Sequence, residues 1–167
     1  MSRVLQKKVC LLGAFAVGKT SLVSRYMNGI FSDKYLSTMG VKIDRKEVEV
    51  DDITVNMMLW DVHGEESVKK VPVTYMRGSA AYFLVIDGTR RASVEVAREL
   101  HARMRAETGD IPFVVLLNKA DLKDEWQLND ADVTALREEG WDCYLTSALS
   151  GENVEAAFER LAGQMVR

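Results

Sequence analysis

Residues 13–20 read Gly13-Ala14-Phe15-Ala16-Val17-Gly18-Lys19-Thr20, which fits the spacing G-x-x-x-x-G-K-[ST]. Glycines at these positions permit a turn in which successive backbone N–H groups converge on phosphate oxygens. The positive end of a helix opening at Lys19 adds to that field. In such a turn Lys19 reaches the β- and γ-phosphates and the Thr20 hydroxyl binds Mg²⁺. An apolar run, Val9-Cys10-Leu11-Leu12, precedes the turn and an amphipathic stretch follows it. That is the strand–turn–helix context the motif needs, so a chance glycine turn is the weaker reading.

A phosphate cradle does not choose a base. Asn118-Lys119-Ala120-Asp121 follows the apolar run Phe113–Leu117. A carboxylate beyond a strand end accepts two hydrogen bonds from guanine, one from the ring N–H and one from the exocyclic amine. Adenine presents a different donor pattern at that edge. The Lys119 stem can lie along the base plane while Asn118 ties neighbouring loops together. Asn and Asp are common turn formers, so this tetrapeptide is weak alone. About a hundred residues after a phosphate loop it becomes a strong signal.

These loops need elements to hold them. Short apolar runs alternate with longer amphipathic stretches, which implies an α/β domain. The pattern predicts strands over 4–12, 41–50, 53–60, 81–87, 112–117 and 142–146, and helices over about 19–28, 66–77, 91–107, 129–139 and 152–166. Tyr82–Ile86 and Phe113–Leu117 are apolar without alternation, as in parallel strands covered on both faces. Residues 42–50 alternate instead and read as an edge strand, with Asp51-Asp52 as a tight turn into an antiparallel partner. Val154, Ala157, Phe158, Leu161 and Met165 form a core-facing helical stripe.

The chain has 167 residues, suited to one domain over 1–167, and 47% hydrophobic residues, enough for a core. Its longest apolar run is seven residues, Ala80–Ile86, against the roughly 20 of a membrane-spanning helix. Net charge is -3 with no basic stripe, so nucleic acid is not expected as a partner. The two cysteines, Cys10 and Cys143, sit in apolar surroundings and read as buried thiols in a reducing, cytoplasmic setting.

Together these motifs resemble a Ras-superfamily small GTPase of the Rab type, over residues 4 to about 164. Phe31-Ser32-Asp33-Lys34-Tyr35-Leu36-Ser37-Thr38-Met39-Gly40-Val41 is similar to the first switch of Rab proteins, and Trp60-Asp61-Val62-His63-Gly64-Glu65-Glu66 to the second. Thr146-Ser147-Ala148-Leu149 resembles the last guanine loop, and Tyr75-Met76-Arg77-Gly78 also fits the Rab pattern. The resemblance implies a P-loop G domain: a mainly parallel six-stranded sheet, order 2-3-1-4-5-6 with strand 2 antiparallel, and five helices. It implies that Phe31 packs on the guanine edge, Tyr35 folds over the γ-phosphate, and Gly64 donates its N–H to that phosphate. Thr20, Thr38 and Asp61 would serve Mg²⁺. Gly13, Phe15, Ala16, Val17, Gly18, Lys19, Thr20 and Ser21 would line the phosphates. Asn118, Lys119, Asp121, Leu122, Ser147, Ala148 and Leu149 would surround the base. Lys19, Gly64 and the residue at position 65 would carry hydrolysis.

Three departures fall on this chemistry. Glu65 replaces the water-positioning glutamine of the family's Asp-Thr-Ala-Gly-Gln, His63 replaces its alanine, and Phe15 replaces a small phosphate-loop residue. His63 reads as a switch-surface or packing residue. For Glu65 the plain alternative is a solvated carboxylate, and for Phe15 a hydrophobic lid without catalytic effect. The expected function is a monomeric guanine-nucleotide switch that binds GTP and GDP with Mg²⁺ and hydrolyses GTP slowly. Effectors and an exchange factor, as in vesicle transport, would meet switch segments 31–41 and 61–77 and an apolar face drawn from Met39, Val41, Ile43, Met57 and Trp60, part of which is core. The alternative is a GTP-binding interaction module with negligible hydrolysis. A small-molecule kinase fits less well, given Asn118–Asp121 and no arginine-rich lid. The chain ends Gln164-Met165-Val166-Arg167 without a prenylation cysteine, and Met1-Ser2 lacks the myristoylation glycine. Membrane attachment is therefore expected only through partners or residues outside this chain.

Overall fold

The computed structural model describes residues 3–14, 16–27, 42–61 and 71–166, and residues 35–36 as backbone. The strands are β1 (Arg3–Gly13), β2 (Tyr35–Leu36), β3 (Lys42–Val50), β4 (Ile53–Asp61), β5 (Ala81–Asp87), β6 (Phe113–Asn118) and β7 (Cys143–Leu145). They form one sheet in the order β2-β3-β4-β1-β5-β6-β7. Without β2, the six remaining strands run in the expected order, and only β3 among them is antiparallel to its neighbour. The two-residue β2 pairs antiparallel with Lys42 and Ile43 at the outer edge of β3. Two residues are too few for any hydrophobic period, so it left no trace in the sequence pattern.

The helices are α1 (Lys19–Tyr26), α2 (Val73–Met76), α3 (Ala92–Thr108), α4 (Asp130–Glu138) and α5 (Val154–Met165). Within the described part of the helix expected over 66–77, Val71 and Pro72 are not helical, and Pro72 precedes the first turn with ψ 140°. A proline ring disfavours the helical conformation of the residue before it, which delays the helix to Val73. Residues 66–70 lie outside the described residues.

β5 shows how the layers form. All seven of its residues are buried; Ala81, Phe83 and Val85 join the core under α1 and α5, and Tyr82, Leu84 and Ile86 the core under α3 and α4. Its continuous apolar run follows from having helices on both faces. On the first face Phe158 stacks on Tyr26 at 4.1 Å between ring centroids and meets Phe83 at 4.5 Å. Removing a buried ring of this kind costs about 3–5 kcal/mol.

This layering shows which members of the apolar set Met39, Val41, Ile43, Met57 and Trp60 are core. Ile43 is 2% and Met57 0% exposed, and they lie in the cores on opposite sides of the sheet. Successive strand residues point to opposite faces, and here each face has helices over it. Trp60 is half-buried, with the Lys8 ammonium 3.7 Å from its ring centroid. Met39 and Val41 lie outside the described residues.

Candidate nucleotide site

The parallel register brings the C-terminal ends of five strands to one edge. Leu11 pairs with Asp61, Gly13 with Val85, Asp87 with Asn118, and Leu117 with Leu145. Doubly wound sheets bind ligands in the crevice beyond this edge.

The phosphate loop leaves β1 at Gly13 and enters α1 at Lys19. A side chain at Gly13 would sit 2.5 Å from the Val85 carbonyl oxygen, so the tight approach of the loop to β5 requires glycine. Ala16 and Gly18 have φ of 61° and 102°, a left-handed pair of the kind that turns backbone N–H groups to one side. No side chain caps α1, which leaves its first-turn N–H groups to an anionic ligand. Lys19 is 5% exposed and donates to the Gly13 and Ala14 carbonyls, both at 3.2 Å. Burial pushes its pKa below the ordinary lysine value; Asp61 opposes this and Arg90 reinforces it.

Thr20 donates its hydroxyl to Asp61 Oδ2 at 2.5 Å, and Asp61 is fully buried at the end of β4. Two oxygen donors side by side suit a small hard cation such as Mg²⁺. That ion commonly takes one or two protein oxygens and completes its shell with phosphates and water.

The base side is laced by long-range hydrogen bonds. Asn118, 2% exposed, donates its amide to the Val17 carbonyl at 2.9 Å and accepts from the Thr146 hydroxyl at 3.2 Å. It ties the phosphate loop to the last loop, as expected of it. Asp121 Oδ1 accepts from the Ser147 hydroxyl at 2.7 Å, and Ser147 Oγ also accepts from the Ser150 N–H at 3.1 Å. Leu122 and Leu149 are 37% and 77% exposed, an apolar rim beside these polar groups. Lys119 adopts φ 69° and pairs with Asp87 at 2.9 Å. Burial would raise the Asp87 carboxyl, but hydrogen bonds from Thr89, Lys119 and Arg90 hold it below the usual carboxylate range.

The structure thus brings Gly13, Gly18, Lys19, Thr20 and Asp61 together at one end and Asn118, Lys119, Asp121 and Ser147 at the other. Val17 contributes its carbonyl while its side chain joins the core. Ser21 is exposed on α1, and Ala148 packs partly buried against the core under α1 and α5. Phe15, Phe31, Thr38, His63, Gly64 and Glu65, and the Tyr35 side chain, lie outside the described residues. Cys10 and Cys143 are buried thiols, as expected. Arg25, which reaches from α1 to the carbonyls of Leu149 at 3.4 Å and Ser150 at 3.1 Å, was not legible in the sequence. Nor was Asp87, although a carboxylate ending an otherwise apolar strand is a usable signal.

Gly18 supports one prediction. A methyl there would lie 2.3 Å from Asn118 Nδ2, and a positive φ costs an L-residue roughly 1–2 kcal/mol. Gly18→Ala is expected to lower the melting temperature by about 5 °C or more, measured without nucleotide. An unchanged melting temperature would show that Asn118 is not seated against this turn.

The fold and this loop set define a P-loop nucleotide-binding domain. The Ras family model matches residues 8–167. The chain is 36% identical over 167 aligned positions to Ras-related protein Rab7 of Drosophila melanogaster, covering 93% of this chain and 78% of the relative. It is 34% identical over 162 positions to Ras-related protein RABA1f of Arabidopsis thaliana, covering 96% of this chain and 75% of the relative. The chain belongs to the Ras family, and within it is a Rab-like, GTP-binding small GTPase. Among the described residues no helix is long and apolar enough to cross a membrane.

Proposed function

We propose that this chain cycles between GTP- and GDP-bound forms, hydrolyses GTP slowly, and offers or withdraws a protein-binding surface built from segments 31–41 and 61–77. The observation that carries this reading is the Thr20–Asp61 contact. It joins the first turn after the phosphate loop to the last residue of β4, from which segment 62–70 departs. Lys19, next in sequence to Thr20, is poised over the same loop. A γ-phosphate at this junction would hold Gly64 by its N–H and Thr38 through the metal site, ordering both segments; its loss would release them. Thr20, Asp61 and, in the GTP form, Thr38 would hold Mg²⁺. When bound, Mg²⁺ supplies positive charge across the β- and γ-phosphates. Effectors and an exchange factor would read the state of these segments as partners of a monomer.

Nucleotide release tests the reading. Chelation of Mg²⁺ is expected to speed GDP release by about tenfold or more, the loss of one charge-assisted contact. Thr20→Asn is expected to weaken GTP more than GDP and to blunt the response to chelator. An off-rate that ignores chelation would remove Thr20 and Asp61 from a metal site.

A further inference from the structure

Asp87 ends β5 as the one charged residue of that strand, and it is 0% exposed. Its carboxylate is surrounded by donors. Oδ1 accepts from the Thr89 N–H at 2.9 Å and the Thr89 hydroxyl at 2.6 Å. Oδ2 accepts from Arg90 Nε at 3.0 Å and Lys119 Nζ at 2.9 Å. Asp87 and Asn118 are register partners on adjacent strands, so the carboxylate stands beside the start of the base loop. The Lys119 backbone sits in the left-handed region at φ 69°, and its side chain is 33% exposed. The chain is therefore held at both ends, by its backbone turn and by its ammonium, with the four-carbon stem stretched between them.

We propose that Asp87 is a positioning residue for guanine nucleotide: by anchoring the Lys119 ammonium, it fixes the lysine stem as one wall of the base slot. The inference rests on the guanine-nucleotide reading above and adds to it a residue that never touches the ligand. A free lysine loses considerable rotamer freedom when it is ordered against a ligand. Anchoring it beforehand removes that cost from the binding step. The burial of Asp87 and its two cationic partners make the anchor rigid, because an isolated carboxylate at this depth would be strongly disfavoured.

Asp87→Asn keeps an acceptor for Thr89 but replaces Oδ2 with an amide nitrogen that cannot accept from Lys119. GDP affinity is expected to fall about 5- to 30-fold by titration calorimetry. In a Lys119→Met background the same substitution is expected to change affinity by less than about twofold, because residues acting through one another are non-additive. A merely structural Asp87 would lower affinity by the same factor in both backgrounds, and that outcome overturns the proposal. If Asp87→Asn alone does not fold, comparing Lys119→Met with the double variant asks the same question. Failure of the double variant to fold would mark Asp87 as an anchor of the Thr89–Arg90 turn and also overturn the proposal. The unmodified chain is titrated first. If it does not bind GDP, the functional reading falls and this inference with it; additivity in a chain that binds GDP sinks this inference alone.

Discussion

Asp121→Asn is expected to reduce GDP affinity about 30- to 100-fold while xanthine nucleotides gain. The carboxylate offers two acceptors to the ring N–H and exocyclic amine of guanine. Asparagine keeps one acceptor and turns the other into a donor, which meets the guanine amine donor to donor and suits a base with a carbonyl there. Losing one charge-assisted hydrogen bond and leaving a donor unpaired costs roughly 2–3 kcal/mol. The geometry supports this reading of the carboxylate. Ser147 Oγ donates to Oδ1 at 2.7 Å, so the plane of the group is set before a base arrives. Ser147 is itself fully buried and held within the last loop by the Ser150 N–H. Competition binding with GDP, XDP and ADP measures the outcome. If ADP competes with GDP on equal terms in the unmodified protein, Asp121 does not select the base.

The second large effect concerns turnover. Hydrolysis needs a water aligned with the γ-phosphate and donors aimed at the charge that develops in the transition state. A glutamine does both, accepting from the water and donating to phosphate oxygen. An ionised glutamate at position 65 would accept but could not donate, and its charge would oppose approach to the γ-phosphate, although a carboxylate could also orient or polarise the water. Phe15 stands where the family has a small phosphate-loop residue, and a ring at that position would compete for the space that an activating protein's arginine needs. Such an arginine is worth about 10³–10⁵ in rate where it acts. Slow single-turnover release of phosphate from preloaded GTP is therefore expected, with no response to an arginine-supplying activator. Phe15→Gly combined with Glu65→Gln is expected to restore a response of at least about tenfold. Release that is undetectable in both forms would favour the reading as a GTP-binding interaction module. A native chain that already turns over as fast as an activated small GTPase would require Glu65 or His63 to assist the reaction.

Much of the site was readable as local chemistry. The phosphate turn needs glycine where the backbone crowds β5 and where φ is positive, and both requirements appear as letters at Gly13 and Gly18. Strand ends fell within one residue of their expected positions where described, because continuous apolar runs stop at polar or glycine residues. The turn at Asp51-Asp52 pairs Val50 with Ile53, as the alternation on either side implied. The late start of α2 at Val73 shows the limit even of local reading: the apolar spacing suggested a longer helix, and one proline overrode it.

Contacts between residues distant along the chain are a different matter. Thr20 meets Asp61 across 41 positions, and Asn118 meets Val17 across 101. Motifs supply the donors and acceptors for these pairs but not their distances. Those follow from β1 lying between β4 and β5 in parallel register, which brings the C-terminal ends of strands from separate parts of the chain to one edge. The same packing placed Ile43 and Met57 in two cores instead of on one exposed face, because which side of a strand is covered depends on helices far away in sequence. It also set Asp87 against Lys119 and Arg25 against the last loop, pairings with no local signature. Residue types and backbone turns are properties of short segments, whereas the partners of a buried charge are chosen by whichever elements the sheet order makes neighbours.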